Sequence, residues 1–82
     1  MQYVITPHAA QRMAERGITH AAIGEALRHP TAVSQDEDGR VLVKKLYRAK
    51  EKSRLLLVVV EQVNEMWTVI TVIDTSKTKK YL

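Results

Sequence analysis

The first thirty positions carry apolar residues at helical spacing, bracketed by residues that begin and end helices. Thr6 can accept a hydrogen bond from a free backbone N–H of a first turn, and Pro7 suits the first helical position. Gly17 suits the left-handed residue that follows a helix. These signals predict a short helix over residues 7–16. Its narrow apolar stripe consists of Ala9, Ala10 and Met13.

A second helix is predicted directly after the first. Thr19 is its capping residue, and it runs to about Arg28 or His29, where Pro30 stops it. Its core-facing positions are Ile23, Ala26 and Leu27. The link between the two helices is so short that they must form a tight hairpin.

From Thr31 onward the apolar positions alternate with a period of two, which is typical of strands. The predicted strands are Thr31–Gln35, Arg40–Ala49, Arg54–Glu61 and Met66–Ile73. The third is apolar on both faces and is therefore expected at the centre of the sheet. A short edge strand over Gln2–Ile5 is a further candidate.

The pattern predicts an α+β fold: two short N-terminal helices packed on one face of a four-stranded antiparallel β-meander. Eighty-two residues make one domain, residues 1–82, with no room for a second core. The expected core residues are Ala9, Met13, Ile23, Leu27, Leu57, Val59, Ile70 and Val72.

Composition narrows the setting. The absence of cysteine excludes disulfides and thiolate metal sites and suits a reducing cytoplasm. The first ten residues show neither the basic nor the apolar region of a signal peptide. The longest apolar run, Leu55–Val60, is too short to span a bilayer, so we expect a cytoplasmic chain with no membrane partner.

Charge is unevenly distributed around a net value of +4. Residues 40–54 hold seven Lys/Arg against one acid, Glu51, and residues 75–82 hold three lysines and no acid. This asymmetry favours a polyanion or an acidic protein as the partner.

One candidate site lies on the first helix, where His8, Arg12 and Arg16 share a face at i, i+4 and i+8. This basic face of the helix is either a solvated face or an anion-binding one. No paired-histidine metal motif and no glycine-rich phosphate loop is present, so we expect no metal and no cofactor. Such residues can support cleavage of RNA by its own 2′-OH, because imidazole moves protons near neutral pH and cations stabilise the phosphorane.

The stretch from His8 to Thr31, HAAQRMAERGITHAAIGEALRHPT, an acidic turn and a last strand TVITVIDTSK resemble a bacterial family of small domains of unknown function. That family is similar to RelE-like and BrnT-like toxins of the barnase/EndoU/colicin-type nuclease superfamily. The resemblance covers nearly the whole chain. It implies a RelE/barnase-like fold and a metal-independent ribonuclease, often the toxin of a toxin–antitoxin pair.

The resemblance also implies a site. Its catalytic residues would be His8 and Arg12, with a basic sheet residue (Lys45, or else Lys44 or Arg48) and a residue near the end of the last strand (Thr71, or else Thr75 or Lys77). Nucleic-acid contacts would come from Arg16, Lys44, Arg48, Lys77, Lys79 and Lys80. Many relatives are expected to have a tyrosine near the end of that strand, where this chain has Ile73 and Asp74.

The sequence leaves two other interpretations open. The same basic face could belong to a catalytically inactive module that binds RNA or a protein. Alternatively, an exposed sheet edge could pair with an antitoxin or with a second copy in a homodimer.

Overall fold

The computed structural model describes residues 2–82. Its elements are β1 (Tyr3–Ile5), α1 (Pro7–Arg16), α2 (His20–Arg28), β2 (Ala32–Gln35), β3 (Val41–Ala49), β4 (Lys52–Val63), β5 (Met66–Thr75) and α3 (Thr78–Tyr81). The α+β class is confirmed, whereas the sheet differs in detail from the predicted meander.

Helix α1 begins and ends where the sequence predicts. The hydroxyl of Thr6 accepts a hydrogen bond from the backbone N–H of Ala9 at 3.1 Å. Gly17 follows the helix at φ 66°, and the N–H of Ile18 donates to the carbonyl of Met13 at 2.9 Å. Local capping chemistry therefore fixes both ends of the helix.

Helix α2 follows the same rules. The hydroxyl of Thr19 accepts from the N–H of Ala22 at 3.1 Å, and the last turn closes with the N–H of His29 bonded to the carbonyl of Glu25. Pro30 prevents any continuation. Both helices bury apolar residues in one cluster with the sheet, as predicted, but Ala10 of the predicted α1 stripe is exposed.

The sheet has five strands in the order β1-β5-β4-β3-β2. Strands β2 to β5 form the expected antiparallel meander, but β1 adds to β5 in parallel, with Tyr3 opposite Trp67 and Ile5 opposite Val69. The predicted four-stranded antiparallel sheet is therefore wrong as a complete description. Between β1 and β2 the chain crosses the sheet through α1 and α2, so these two strands form opposite edges of the sheet and run in opposite directions. The short helix α3 was also not predicted.

Strand β4 forms the centre of the core, since Leu55–Val60 are all buried. The residues that pack beneath the helices include Val43, Leu56, Val58, Val60, Val69 and Val72. By strand alternation Leu55, Leu57 and Val59 lie on the opposite face. Leu57 and Val59 are thus buried, as expected, but away from the helices.

A β-bulge ties α1 to β5. Val59 is paired with Thr71 and Val60 with Val69, so Ile70 is an extra residue in β5. Ile70 is only half-buried, and its prediction as a core residue is wrong. Its carbonyl instead accepts a hydrogen bond from the Thr6 hydroxyl at 3.2 Å, while the Thr6 N–H donates to the carbonyl of Val69 at 3.2 Å.

Thr6 should therefore matter more for stability than an ordinary cap. We expect Thr6→Ala to lower the free energy of unfolding by about 2 kcal/mol, at the upper end of the range for lost caps. Thr19→Ala removes only a cap bond on an exposed helix end and should cost about 1 kcal/mol. Urea denaturation of both variants measures the difference. Equal losses would show that the bond to Ile70 contributes nothing.

Candidate nucleic-acid interface

The two ends of the sheet carry opposite charge. The β3–β4 turn and the C-terminal end of β5 lie together, because Leu55 is paired with Thr75. Residues 48–54 and 74–80 thus form one end of the molecule, which we call the basic end. It holds seven Lys/Arg and two carboxylates, for a net charge of +5.

The opposite end contains the β2–β3 and β4–β5 turns, because Val41 is paired with Val60. Residues 36–40 and 61–65 form this acidic end, which holds five carboxylates and Arg40, for a net charge of −4. Strands β3 and β4 therefore separate charges that the linear sequence distributes over four segments.

Most cations of the basic end are free to meet a ligand. Within residues 2–82, four ion pairs form, and Arg54 with Asp74 is the one that involves the basic end. The remaining six cations of this end are exposed: Arg48, Lys50, Lys52, Lys77, Lys79 and Lys80. Such a surface attracts a phosphate backbone and gains free energy by releasing counterions.

Beside these cations, Tyr47, Arg54 and Asp74 form a hydrogen-bonded group, which we call the Tyr47 cluster. The Tyr47 hydroxyl donates to Oδ2 of Asp74 at 2.6 Å, and Nε of Arg54 donates to Oδ1 at 2.8 Å. The strand register brings them together, because Tyr47 lies opposite Arg54 and Asp74 lies opposite Leu56.

Tyr47 and Asp74 of the cluster line a pocket of about 280 Å³ below the link between α1 and α2. The helices contribute an apolar wall that includes Ile18 and Ala22, while the sheet contributes Lys45, Tyr47 and Asp74. Glu25 lies at the pocket, and its carboxylate is 3.9 Å from Nζ of Lys45. The pocket therefore offers a proton acceptor, a hydroxyl donor and the cation of Lys45 beside an apolar surface, and among residues 2–82 no group of potential metal ligands accompanies them.

The hydrogen bonds of the cluster change the proton affinity of Tyr47 and Arg54. Burial, the hydrogen bond to Asp74 and the negative charge of that carboxylate together raise the pKa of Tyr47 above its ordinary value. The hydrogen bond to Asp74 raises the pKa of Arg54 as well. At neutral pH Tyr47 is thus a protonated hydroxyl held in one orientation, and Arg54 is a fixed cation.

None of the predicted residues on α1 lines this pocket. Arg16 directly precedes Gly17 and Ile18, and these two residues line the pocket on the side that faces Tyr47. His8 lies in the first turn, about 12 Å from Arg16 along the helix axis, and it is exposed. Arg12 lies between them and pairs with Glu15 at 3.6 Å, an exposed pair of little energetic weight.

The sheet also separates two of the predicted catalytic residues. Lys45 lies on the helix-bearing face, where its Nζ donates to the carbonyl of His29 at 2.6 Å. Thr71 is paired with Val59 and, by alternation from the buried Val72, lies on the opposite face. Lys44 shares that opposite face. Of the predicted site residues, the structure thus brings Lys45 to the pocket, leaves His8, Arg12 and Arg16 outside its lining, and places Thr71 across the sheet.

Sequence reasoning missed the members of the Tyr47 cluster as a group. A signal was nevertheless present. Asp74 is the one acid in the apolar alternation of β5, and Arg54 directly precedes the most apolar run of the chain. Charged residues at the ends of buried strands need partners, and Tyr47 was the nearest aromatic hydroxyl on the neighbouring strand.

The raised pKa of Tyr47 makes a prediction about alkaline stability. The folded-state pKa exceeds the ordinary value of 10.0, so the protonated phenol stabilises the fold below pH 10 and this contribution is lost as the pH rises through the folded-state value. We expect the free energy of unfolding to fall more steeply above pH 10 for the wild type than for Tyr47→Phe. Urea denaturation from about pH 8 to 11 measures it.

The matched control is Tyr81→Phe, which removes a hydroxyl from α3 and should leave the wild-type profile unchanged. Parallel profiles for the wild type and Tyr47→Phe would contradict the prediction.

Comparison with known proteins places this geometry in a family. No helix within residues 2–82 has the length and apolar character needed to cross a membrane. Neither a curated protein nor a solved structure matches the chain significantly. A family profile described as "Domain of unknown function (DUF4258)" matches residues 5–74, from the end of β1 to Asp74 of the Tyr47 cluster. The chain therefore belongs to the DUF4258 family of domains of unknown function.

Proposed function

We propose that this domain binds single-stranded RNA at its basic end and cleaves it without a metal in the pocket of the Tyr47 cluster. The observation that carries the proposal is the juxtaposition of a half-buried hydroxyl, carboxylate and guanidinium with six exposed cations that form no ion pair within residues 2–82. A phosphate backbone on the cations would present its sugar to the pocket.

In this mechanism the Glu25 carboxylate accepts the 2′-OH proton, and O2′ forms a bond to phosphorus. The bond from phosphorus to O5′ breaks, and the leaving oxygen takes the Tyr47 proton. Lys45 and Arg54 offset the charge that develops on the phosphoryl oxygens. The products are a 2′,3′-cyclic phosphate and a 5′-hydroxyl, and transfer of the Glu25 proton to the tyrosinate, directly or through water, restores the site.

Two features support assigning the acid role to Tyr47. The bond to Asp74 fixes the position of the hydroxyl, and Ile18 and Ala22 line the pocket with apolar surface. In this proposal Tyr47 of β3, which is bonded to Asp74 near the end of β5, takes the role of the tyrosine that the resemblance implied near the end of the last strand. A more specific form of this proposal is that the domain is a toxin and that an antitoxin blocks its pocket.

The second candidate is a module that binds RNA without cleaving it. It is favoured by the engagement of Asp74 with both Tyr47 and Arg54, an arrangement that also serves as a purely structural ion pair. The two candidates share the basic end and differ only in the chemistry of the pocket.

Cleavage distinguishes them. We expect EDTA-resistant cleavage of a single-stranded RNA, with 2′,3′-cyclic phosphate ends, to fall by about 10²-fold or more in Tyr47→Phe, because the proton donor is lost. Gel electrophoresis of end-labelled RNA measures the rate, and melting temperatures show that both proteins are folded.

His8→Ala is the matched control, since it removes the imidazole predicted from sequence but lies away from the pocket. It should retain cleavage within about threefold of the wild type, well below the loss expected for a general acid. A large loss of cleavage in His8→Ala with none in Tyr47→Phe would mean that the active site lies on the α1 face formed by His8, Arg12 and Arg16. No cleavage of any RNA, with binding retained, would establish the second candidate.

RNA affinity should depend on salt through the basic end. Replacing Lys77, Lys79 and Lys80 by Gln should flatten the slope of log K against log salt by about 2, since each phosphate neutralised on a single strand contributes about 0.7. Fluorescence anisotropy from about 50 to 300 mM salt measures it. Arg40→Gln, at the acidic end, should leave the slope unchanged. Parallel slopes for the wild type and the triple variant would mean that the segment after β5 does not touch RNA.

A further inference from the structure

A second concave surface lies at the other end of the molecule. It is an apolar groove of about 220 Å³ on the helix-bearing face, between the end of α2 and the edge strand β2. Leu27 and Pro30 line it from the helical side, and Val33, Val41, Val43 and Trp67 line it from the sheet. Every residue that lines it is apolar. The groove exists because Pro30 ends α2 before the helix can cover β2, and Val33 is consequently 56% exposed.

The groove adjoins a sheet edge that lacks the usual protection. Strand β2 is outermost in the strand order, so its far side has no neighbouring strand. Its four residues, Ala32–Gln35, include no charged residue and no proline. Edge strands of soluble proteins commonly carry such residues or a bulge to prevent pairing with another chain. An unprotected edge beside an apolar groove is a surface on which an extended peptide can add a strand.

Charge at this edge selects the kind of partner. Strand β2 leads directly into Asp36, Glu37 and Asp38, and the acidic end as a whole carries −4. Glu37 and Asp38 are exposed, and no ion pair involving either forms within residues 2–82. A cationic segment would meet favourable potential at this edge, whereas an acidic one would be repelled.

We propose that β2 is a docking edge for an extended segment of a partner protein in which Lys or Arg alternates with Val or Leu. The segment adds a sixth strand to the sheet through main-chain hydrogen bonds. One of its apolar side chains fills the groove beside Val33 and Trp67, and its cations lie near Glu37 and Asp38. The acidic end faces away from the basic end, so this partner and RNA bind to separate surfaces.

Trp67 provides the readout, since it lines the groove and is the only tryptophan of the chain. The probe is the synthetic peptide Ac-Lys-Val-Lys-Val-Lys-Val-Lys-amide, titrated into the full chain while Trp67 emission is followed. We expect saturable binding that weakens with salt and an affinity at least about tenfold higher than that of the same peptide with Glu in place of Lys. Backbone amide shifts in the NMR spectrum should change at residues 32–35.

Two variants with comparable exposure make the test specific. Val33→Lys removes an exposed apolar wall of the groove and adds a repelling charge, so it should abolish binding. Val4→Lys, at 47% exposure on the other edge strand β1, should bind as the wild type does. Equal affinity for the Lys and Glu peptides, or equal loss in both variants, would overturn the proposal. Sedimentation showing a dimer that Val33→Lys dissociates would overturn it too, because the occupant would then be a second copy.

Discussion

Burial of one strand on both of its faces is the constraint on which the rest of this structure depends. Leu55–Val60 must be removed from water in every direction, and no neighbouring element can do this alone. Strands β3 and β5 flank the strand, and α1 and α2 help to cover one face. Arg54 lies immediately before the buried run and Glu61 immediately after it. The two charged ends of the molecule therefore begin where this burial stops.

The Tyr47 cluster shows what the end of a buried strand requires. Arg54 and Asp74 keep only 34% and 16% of their side-chain surfaces exposed, so each has lost much of its hydration. Removing one member of a half-buried ion pair destabilises the fold mainly because the other charge is left unpaired. The Tyr47 hydroxyl satisfies the second carboxylate oxygen. The arrangement that gives each of these polar groups a partner also presents an oriented proton donor to a pocket. The same residues therefore serve the fold and provide a group that can take part in chemistry.

Capping and helix-ending residues predicted where the helices of this chain begin and end. The other features of the fold depend on how the strands pair. Thr6, Gly17 and Pro30 act on backbone groups within a few residues, so the ends of both helices could be predicted from the sequence. The parallel pairing of β1 could not, because it depends on how the chain crosses the sheet after α1. The bulge at Ile70 likewise changes which side chains of β5 face the helices, and alternation alone does not reveal it.

The candidate site was predictable only in part for the same reason. Charge asymmetry indicated which segments form the cationic surface, because it needs only composition along the chain. The pocket depends on the pairing of Tyr47 with Arg54 and of Leu56 with Asp74, which joins residues up to 27 positions apart. Thr71 is adjacent to Val72, whose side chain lies on the helix-bearing face. Because side chains alternate along a strand, Thr71 lies on the other face of the sheet.

The union of β1 with β5 has a consequence for how the chain assembles. Thr6 is bonded to Ile70, 64 positions away, so the first strand and the cap of α1 find their partners only when the last strand has been synthesised. Contacts between such distant residues slow folding, because a long loop must close before they form. On the ribosome, α1 would emerge without the surface it packs against. The pocket beneath the α1–α2 link would then form only after β5 has emerged, because Asp74 of that strand lines it.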